Sequence, residues 1–424
     1  MVNQQYWKAP MAHGAIKAVI QIPGSKSVTN RALILTSLAG GTSLLTHPLR
    51  SRDTLLMASG VRAIGVSVQD VGDDWSITPA ELRGPAHVDV GNAGTVMRFL
   101  PPLAALAKGA IRFDGDSRSY ERPMGPVIDG LRAVGAEVVD DGRGAMPLTV
   151  IGTGYLRGGE VSIDASASSQ FVSALLLIAP ATQLGITIRH VGATLPSMPH
   201  IKMSVQMLRA MGGRVDDSHP NHWRVESGAL SPQNMVIEPD LSNAASFMAA
   251  AMITGGQVTI KDWPSNTTQP GDQLRHLFAR MGAKIEIVPA GLQVSAGEAL
   301  LGIDVDLHDV GELTPVLAAL CSLAGTSSHL RGIGHLRLHE TDRLAALATE
   351  INRLGGSVVE GRDSLDIHPR KLHGGAFHTY DDHRLATAGA LIGLVVPEVT
   401  VENIETTHKT LPNFARLWSE MIEA

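Results

Sequence analysis

Residues 22–35 read IPGSKSVTNRALIL. Ser25, Lys26, Ser27 and Arg31 crowd the entrance of an apolar helical pattern, a combination suited to an anion and to phosphate above all. Other small or charged groups precede later apolar stretches in the same way. They are GNAGTVMR at 91–98, SASSQ at 166–170, Asp240 with Ser242 and Asn243, Glu312, and YDDHR at 380–384. Helix N-termini carry unsatisfied N–H groups and about half a positive charge, so buried helices that share one polar end form an anion site. Ser, Asn and Asp are also ordinary helix caps, and for Asp240 and Asn243 the cap and the site role stay equally open. Gly91, Gly94 and Arg98 go beyond a cap, which needs neither paired glycines nor an arginine.

Six Ala/Leu-rich stretches must position these groups: ALILTSLAGGTSLLT, LPPLAALAKGAIRF, VSALLLIAPATQLGITI, FMAAAMITGGQVTI, VLAALCSLAGTSSHL and TAGALIGLVVPEVTV. Each is apolar nearly all round, which predicts a buried helix, and each leads into a β-branched strand. A second pattern alternates with them. VRAIGVSV starts at Val61, LRAVGAEV at Leu131, LRAMGGRV at Leu208, FARMGAKI at Phe278 and INRLGGSV at Ile351, at spacings of 70, 77, 70 and 73 residues. Each predicts a last helical turn, a glycine stop and a strand. FARLWSEM, from Phe414, repeats the helix alone. Six α/β units of about 70 residues fill the chain, three to a domain, with a break near VIEPDLS at 236–242. The sixth unit lacks its closing strand, and GAIKAVIQI at 14–22 is expected to supply it. The expected organisation is a discontinuous domain of 1–21 plus 239–424, with 22–238 inserted and a hinge where the chain crosses.

Bulk properties narrow the function. The chain has 424 residues, 44% hydrophobic but only 4% aromatic, so the core is aliphatic. It has 35 basic against 41 acidic residues, a net charge of −6, which argues against nucleic-acid binding. A single cysteine, Cys321, excludes an intrachain disulfide and a cysteine metal cluster. No apolar run reaches the roughly 18 residues of a membrane span. MVNQQYWKAP shows no signal-peptide pattern, so a cytoplasmic protein is expected.

Common motifs are absent. Ser25 precedes Lys26 where a Walker A loop needs glycine, no G-x-G-x-x-G fingerprint opens a helix after a strand, and there is no G-x-S-x-G elbow. His335 and His339, followed by Glu340, have metal-like spacing. H-E-x-x-H is missing, however, and Arg343 would repel a cation, so no metal site is expected.

Taken in order, PGSKSVTNRA, GNAGTVMR, SASSQF, ETDRL, DHR and HKTLP resemble the 5-enolpyruvylshikimate-3-phosphate (EPSP) synthase family, over essentially the whole chain. The resemblance implies an α/β enolpyruvyl-transferase fold of six βαβαββ units in two domains, with buried helices converging on an inter-domain cleft that closes over substrates. It implies transfer of the enolpyruvyl group of phosphoenolpyruvate to the 5-hydroxyl of shikimate 3-phosphate, a step toward chorismate and the aromatic amino acids. Phosphate is released, and no metal or organic cofactor is required. By similarity, Lys26, Ser27, Arg31, Ser168, Ser169, Gln170, Ser197, Glu312 and His339 hold shikimate 3-phosphate. Lys26, Gly94, Arg122, Gln170, Arg343, Arg384 and Lys409 hold phosphoenolpyruvate. Lys26, Glu312 and Glu340 carry the catalysis. A monomer with no nucleic-acid or membrane partner is expected.

The chemistry accounts for the residue types. Two substrates each bearing phosphate and carboxylate bring about six negative charges, which call for this many cations. A proton must reach the methylene carbon as the hydroxyl attacks, and a methyl proton must leave with phosphate, so one acid/base group can serve both steps. By similarity Glu340 sits near the methylene carbon, Lys26 near the bridging oxygen and Glu312 near the hydroxyl. Taken alone, Glu340 would read as a surface helix carboxylate paired with Arg343 or Arg353.

Three positions depart from the family pattern. Glu312 stands where Asp is usual, with Asp309 as a nearby rival. His339 replaces a common Lys before the catalytic Glu and brings a group that titrates near neutrality. Phe99 replaces the Pro that commonly follows the GNAGTxMR arginine, so inhibitor sensitivity need not carry over, although Gly94 is the residue expected of glyphosate-sensitive enzymes. The related enolpyruvyl transferase acting on UDP-N-acetylglucosamine usually uses a loop cysteine, whereas Cys321 falls in an apolar helical stretch. A non-catalytic binding module would be expected to have lost Lys26, Glu340 or the arginines.

Overall fold

The computed structural model describes residues 6–424. The chain divides into two compact units, Gly24–Ile237 and Met1–Pro23 together with Glu238–Ala424. Each has its own aliphatic core.

Among the described residues there are six small sheets built to one plan. Two strands run parallel, and the second also pairs antiparallel with a third. In five sheets a fourth strand completes the edge. In Gly24–Ile237, the helix Gly94–Ala104 joins the parallel strands Ala86–Asp89 and Lys108–Asp114, and Gln170–Ile178 joins Gly159–Ile163 to Ile186–His190. In the other unit, Thr314–Ser322 joins Asp304–Asp306 to Ser328–Arg331, and His383–Gly393 joins Gly375–Phe377 to Val399–Glu402. These helices are buried along almost their whole length, as their all-round apolar sequences require.

Three sheets depart from sequential pairing, and here the strand expectation is corrected. Lys17–Ile20 does not close the sixth sheet. It runs parallel to Gln257–Lys261, with Lys17 opposite Gln257, and buries Ala18 and Ile20. The place is open because Met235–Val236, the strand just before the helix Leu241–Thr254, pairs instead with Ser43–Thr46. Tyr6–Lys8 supplies the third strand of the sixth sheet, antiparallel to Val399–Glu402.

The glycine stops take the conformation their position demands. Gly65, Gly135, Gly212, Gly282 and Gly355 follow helix ends with φ between +87° and +111°, where a Cβ is strained. A Cβ on Gly135 would come no nearer than 3.5 Å, to a side-chain carbon of Arg157. One on Gly282 would stand 2.4 Å from the Ala299 carbonyl oxygen. Gly135→Ala is therefore expected to cost about 1 kcal/mol from strain alone, and Gly282→Ala about 2 kcal/mol or more. Urea unfolding midpoints of the two variants check this, and equal midpoints would contradict it.

Candidate active site

In Gly24–Ile237 the groups gather at helix entrances. Ser25 caps the helix Lys26–Ser37, its hydroxyl accepting from the Val28 N–H at 3.5 Å. The cap puts Lys26 in the first turn, with its Nζ 3.4 Å from the buried carboxylate of Asp53. Arg31, one turn on, is 1% exposed. Its Nε donates to Ser204 Oγ at 2.8 Å, Nη1 to the Ser27 carbonyl at 3.1 Å, and Nη2 to Ser173 Oγ at 3.3 Å and the His200 carbonyl at 3.0 Å. The guanidinium also lies 5.2 Å from the centroid of the buried Phe99 ring. All four acceptors are neutral oxygens, and burial pulls the Arg31 pKa from 12.5 down to about 9. A charge buried this way favours any anion that can reach it.

The next helix entrance is tied to the first, since Asn30 Nδ2 donates to Thr95 Oγ1 at 2.6 Å. Gly94 opens this second helix. A Cβ on it would lie 2.8 Å from Arg122 Nη2, 3.0 Å from Arg98 Nη1 and 3.1 Å from Gln170 Oε1. Two guanidinium groups and an amide thus converge on Gly94, and a Cβ there would have to push their ends aside. Arg122 Nη1 is aimed by Asn92, donating to its carbonyl and to Oδ1 at 2.9 Å each. Arg98 Nη2 donates to the Pro123 carbonyl at 3.1 Å. Gln170 opens the third helix, its N–H donating to Ser168 Oγ at 3.2 Å, with Ser169 as N-cap. Its Oε1 is buried with no hydrogen-bond partner among the described residues. Ser197, with φ +57°, caps the helix Met198–Ala210, whose first turn offers the His200 carbonyl to Arg31.

The second unit assembles a chain of opposite charges. Glu340 is not a surface helix carboxylate. It stands in the turn before the helix Arg343–Arg353, its side chain 8% exposed, 3.0 Å from Arg343 Nη2 and 2.9 Å from Lys409 Nζ. Arg353 pairs with Glu350 instead. Arg343 Nε donates to Asp382 Oδ2 at 2.8 Å, and Nη1 to His339 Nδ1 at 3.3 Å. Asp382 caps the helix His383–Gly393 by accepting from the Arg384 N–H at 2.8 Å. Arg384 Nη1 donates to the Ser242 carbonyl at 3.0 Å, and Ser242 Oγ to Glu312 Oε1 at 3.4 Å. Asp309 is exposed. Asp240 is the N-cap of the helix Leu241–Thr254, accepting from the Asn243 N–H at 3.0 Å, while Asn243 Nδ2 donates to the Thr410 carbonyl at 2.9 Å.

The electrostatics of the two arginines differ. Burial works against the charge on Arg343, but Asp382, Glu340 and Glu312 outweigh it and hold the pKa above its ordinary value. For Arg384 burial prevails, with Arg343 adding repulsion, and the pKa falls despite Asp240 and Glu312. His335 packs edge-on between His308 and His339, with ring centroids 5.7 and 5.9 Å away. Burial, then His308, pushes its pKa from 6.5 down to about 4. Cys321 is buried in its helix, and desolvation lifts its thiol to about 12, away from reactive values.

Sequence reasoning gave no part to Asp53 or His200, and it quoted Asn92 and Asp382 only within GNAGTVMR and YDDHR, without a role of their own. Asp382 had a signal, an aspartate two residues before an arginine at a helix start. Asp53 and His200 had none, because their roles depend on packing between distant elements.

The fold and this concentration of buried charge define the class. The enolpyruvyl transferase NikO from Streptomyces tendae superposes with a TM-score of 0.76 at 15% identity, over 97% of this chain and 96% of that one. An EPSP synthase from Acinetobacter baumannii superposes at 0.83, with 25% identity over 99% and 98%. A curated 3-phosphoshikimate 1-carboxyvinyltransferase from Kocuria rhizophila (strain ATCC 9341 / DSM 348 / NBRC 103217 / DC2201) is 51% identical, over 98% of this chain and 96% of that protein. The family model for EPSP synthase (3-phosphoshikimate 1-carboxyvinyltransferase) matches residues 11–418. The chain belongs to the EPSP synthase family.

The buried His335 makes a pH prediction. Above pH 6.5 neither state binds its proton. Between 6.5 and about 4 the unfolded chain binds it and the native protein does not, so stability falls as pH falls. His335→Asn should lose less stability than wild type between pH 7 and pH 5, read from urea midpoints. Equal losses would contradict the assignment.

Proposed function

We propose that this chain transfers the enolpyruvyl group of phosphoenolpyruvate to the 5-hydroxyl of shikimate 3-phosphate, and that the residues above divide the work. Lys26, Ser27, Arg31, Ser168, Ser169, Gln170 and Ser197 hold shikimate 3-phosphate, with Glu312 and His339 on its hydroxyl side. Lys26, Gly94, Arg122, Gln170, Arg343, Arg384 and Lys409 hold phosphoenolpyruvate. The observation that carries this reading is Glu340, a buried carboxylate between Lys409 and Arg343, in a member of this family. A surface ion pair would not be buried between two cations.

In the addition step the 5-hydroxyl oxygen bonds to C2 of phosphoenolpyruvate while a proton reaches the methylene carbon. The hydroxyl proton passes to Glu312, whose tie to Ser242 supports it over the exposed Asp309. In the elimination step the new methyl group loses a proton and the C–O bond to phosphate breaks. Glu340 serves both carbon proton transfers, and Lys409 Nζ, 2.9 Å from Oε1, is close enough to exchange a proton with it. Lys26 neutralises the bridging oxygen as phosphate leaves. These groups come from both units of the chain. No helix among the described residues is long and apolar enough to cross a membrane, and the net charge is −6. We read the chain as a cytoplasmic monomer without nucleic-acid or membrane partners, and the acidic balance suits the lack of a nucleic-acid partner.

Phosphate release from phosphoenolpyruvate, with and without shikimate 3-phosphate, in EDTA, tests the reading. Release should need both substrates, survive EDTA and fall at least about a hundredfold in Glu340→Gln, within the range for a general acid–base group. Release without shikimate 3-phosphate would point to another acceptor, and an unaffected variant would remove Glu340 from the chemistry.

A further inference from the structure

Glu350 has no part in the chemistry above, yet its side chain is 0% exposed. A buried carboxylate is costly unless its oxygens are satisfied. Here they are. Oε1 accepts from the Tyr380 hydroxyl at 2.7 Å, Oε2 from the His378 N–H at 3.0 Å, and Arg353 Nε sits 3.0 Å from Oε2. Two of these partners lie in the segment His378–Asp382. Within it Tyr380 and Asp381 have φ of +52° and +56°, a pair of left-handed residues that are not glycine. Such strain persists only where surrounding contacts impose it.

The contacts that impose it are specific. Glu402 Oε2 accepts from the Thr379 N–H at 3.3 Å and pairs with His378 Nδ1 at 3.1 Å. Asn403 Nδ2 donates to Asp381 Oδ1 at 3.0 Å. The Tyr380 hydroxyl ties the first strained residue to Glu350. Burial, then Glu350, pushes its pKa up to about 12, so the hydroxyl stays a donor at any working pH. The turn ends on Asp382, which receives Arg343 at 2.8 Å and caps the helix whose first turn carries Arg384.

We infer that Glu350 and Tyr380 are positioning residues for phosphoenolpyruvate: the hydrogen bond from the Tyr380 hydroxyl to the buried Glu350 carboxylate holds the strained turn that aims Asp382, and through it Arg343 and Arg384. The inference rests on the assignment of those two arginines to phosphoenolpyruvate. Loss of the strut lets the turn relax toward ordinary backbone angles and moves Asp382 off its two partners. The damage falls mainly on one substrate: of the groups assigned to shikimate 3-phosphate, only His339, which accepts from Arg343, and Glu312, tied through Ser242 to Arg384, lie in the unit of this turn.

Steady-state kinetics of Tyr380→Phe, Glu350→Gln, the double variant and Arg384→Ala test this. Tyr380→Phe removes one hydroxyl from a partly exposed ring, so it keeps the test open if Glu350→Gln fails to fold. The KM for phosphoenolpyruvate should rise about tenfold in Tyr380→Phe, the scale of one hydrogen bond to a charged group. The KM for shikimate 3-phosphate should stay within about twofold, and the double variant should be no worse than the poorer single variant. A rise for both substrates alike, or additive single effects, would overturn the strut. An Arg384→Ala enzyme with unchanged KM for phosphoenolpyruvate would overturn the underlying assignment, and the inference with it. A raised KM in Arg384→Ala with none in Tyr380→Phe would overturn the inference alone.

Discussion

Charge buried at the entrances of apolar helices is the constraint on which the rest of this structure depends. A guanidinium taken out of water needs compensation, and the two units supply it differently. Arg31 is compensated by hydroxyls and carbonyls alone, so its environment favours an anion that the protein does not itself provide. Arg343 is compensated by carboxylates, Asp382 and Glu340, the second shared with Lys409. The first arrangement suits binding. The second suits holding a carboxylate where protons move.

The fold serves this constraint. A helix that is apolar on every side must be enclosed, and enclosing it hides everything but its ends. The βαβ plan, repeated from sheet to sheet, delivers those ends. Low aromatic content fits the same design, since Ala-rich helices pack closely without large side chains. Glycine takes part twice, ending the outer helices with positive φ and leaving room beside Arg122 and Arg98 at Gly94.

Much of this was legible in the sequence, because local chemistry wrote it there. The buried helices follow from their unbroken apolar composition, and the helix stops from RAxG-like endings. Lys26, Gly94, Gln170 and Arg384 all open helices, where their motifs placed them. What was not legible depends on long-range choice. Lys17–Ile20 and Tyr6–Lys8 are both short and β-prone, and nothing local says which sheet each joins. The counter-charges were hidden too. Asp53 reaches Lys26 across 27 residues, and Glu350 reaches Tyr380 across 30. The burial of Glu340 was hidden as well: its spacing alone suggested an i,i+3 surface pair, and only the order of motifs around it pointed to catalysis.

The central claim is that Arg31 is buried for an anion rather than for the fold. Calorimetric titration of shikimate 3-phosphate into wild type and Arg31→Met, with the urea midpoint of each free protein, tests it most directly. The account expects binding weakened at least about a hundredfold, as for a buried charge-assisted contact, with a midpoint equal to or above that of wild type, since an isosteric apolar chain avoids the cost of the buried charge. Unchanged affinity with a lowered midpoint would make Arg31 a structural residue and contradict the account.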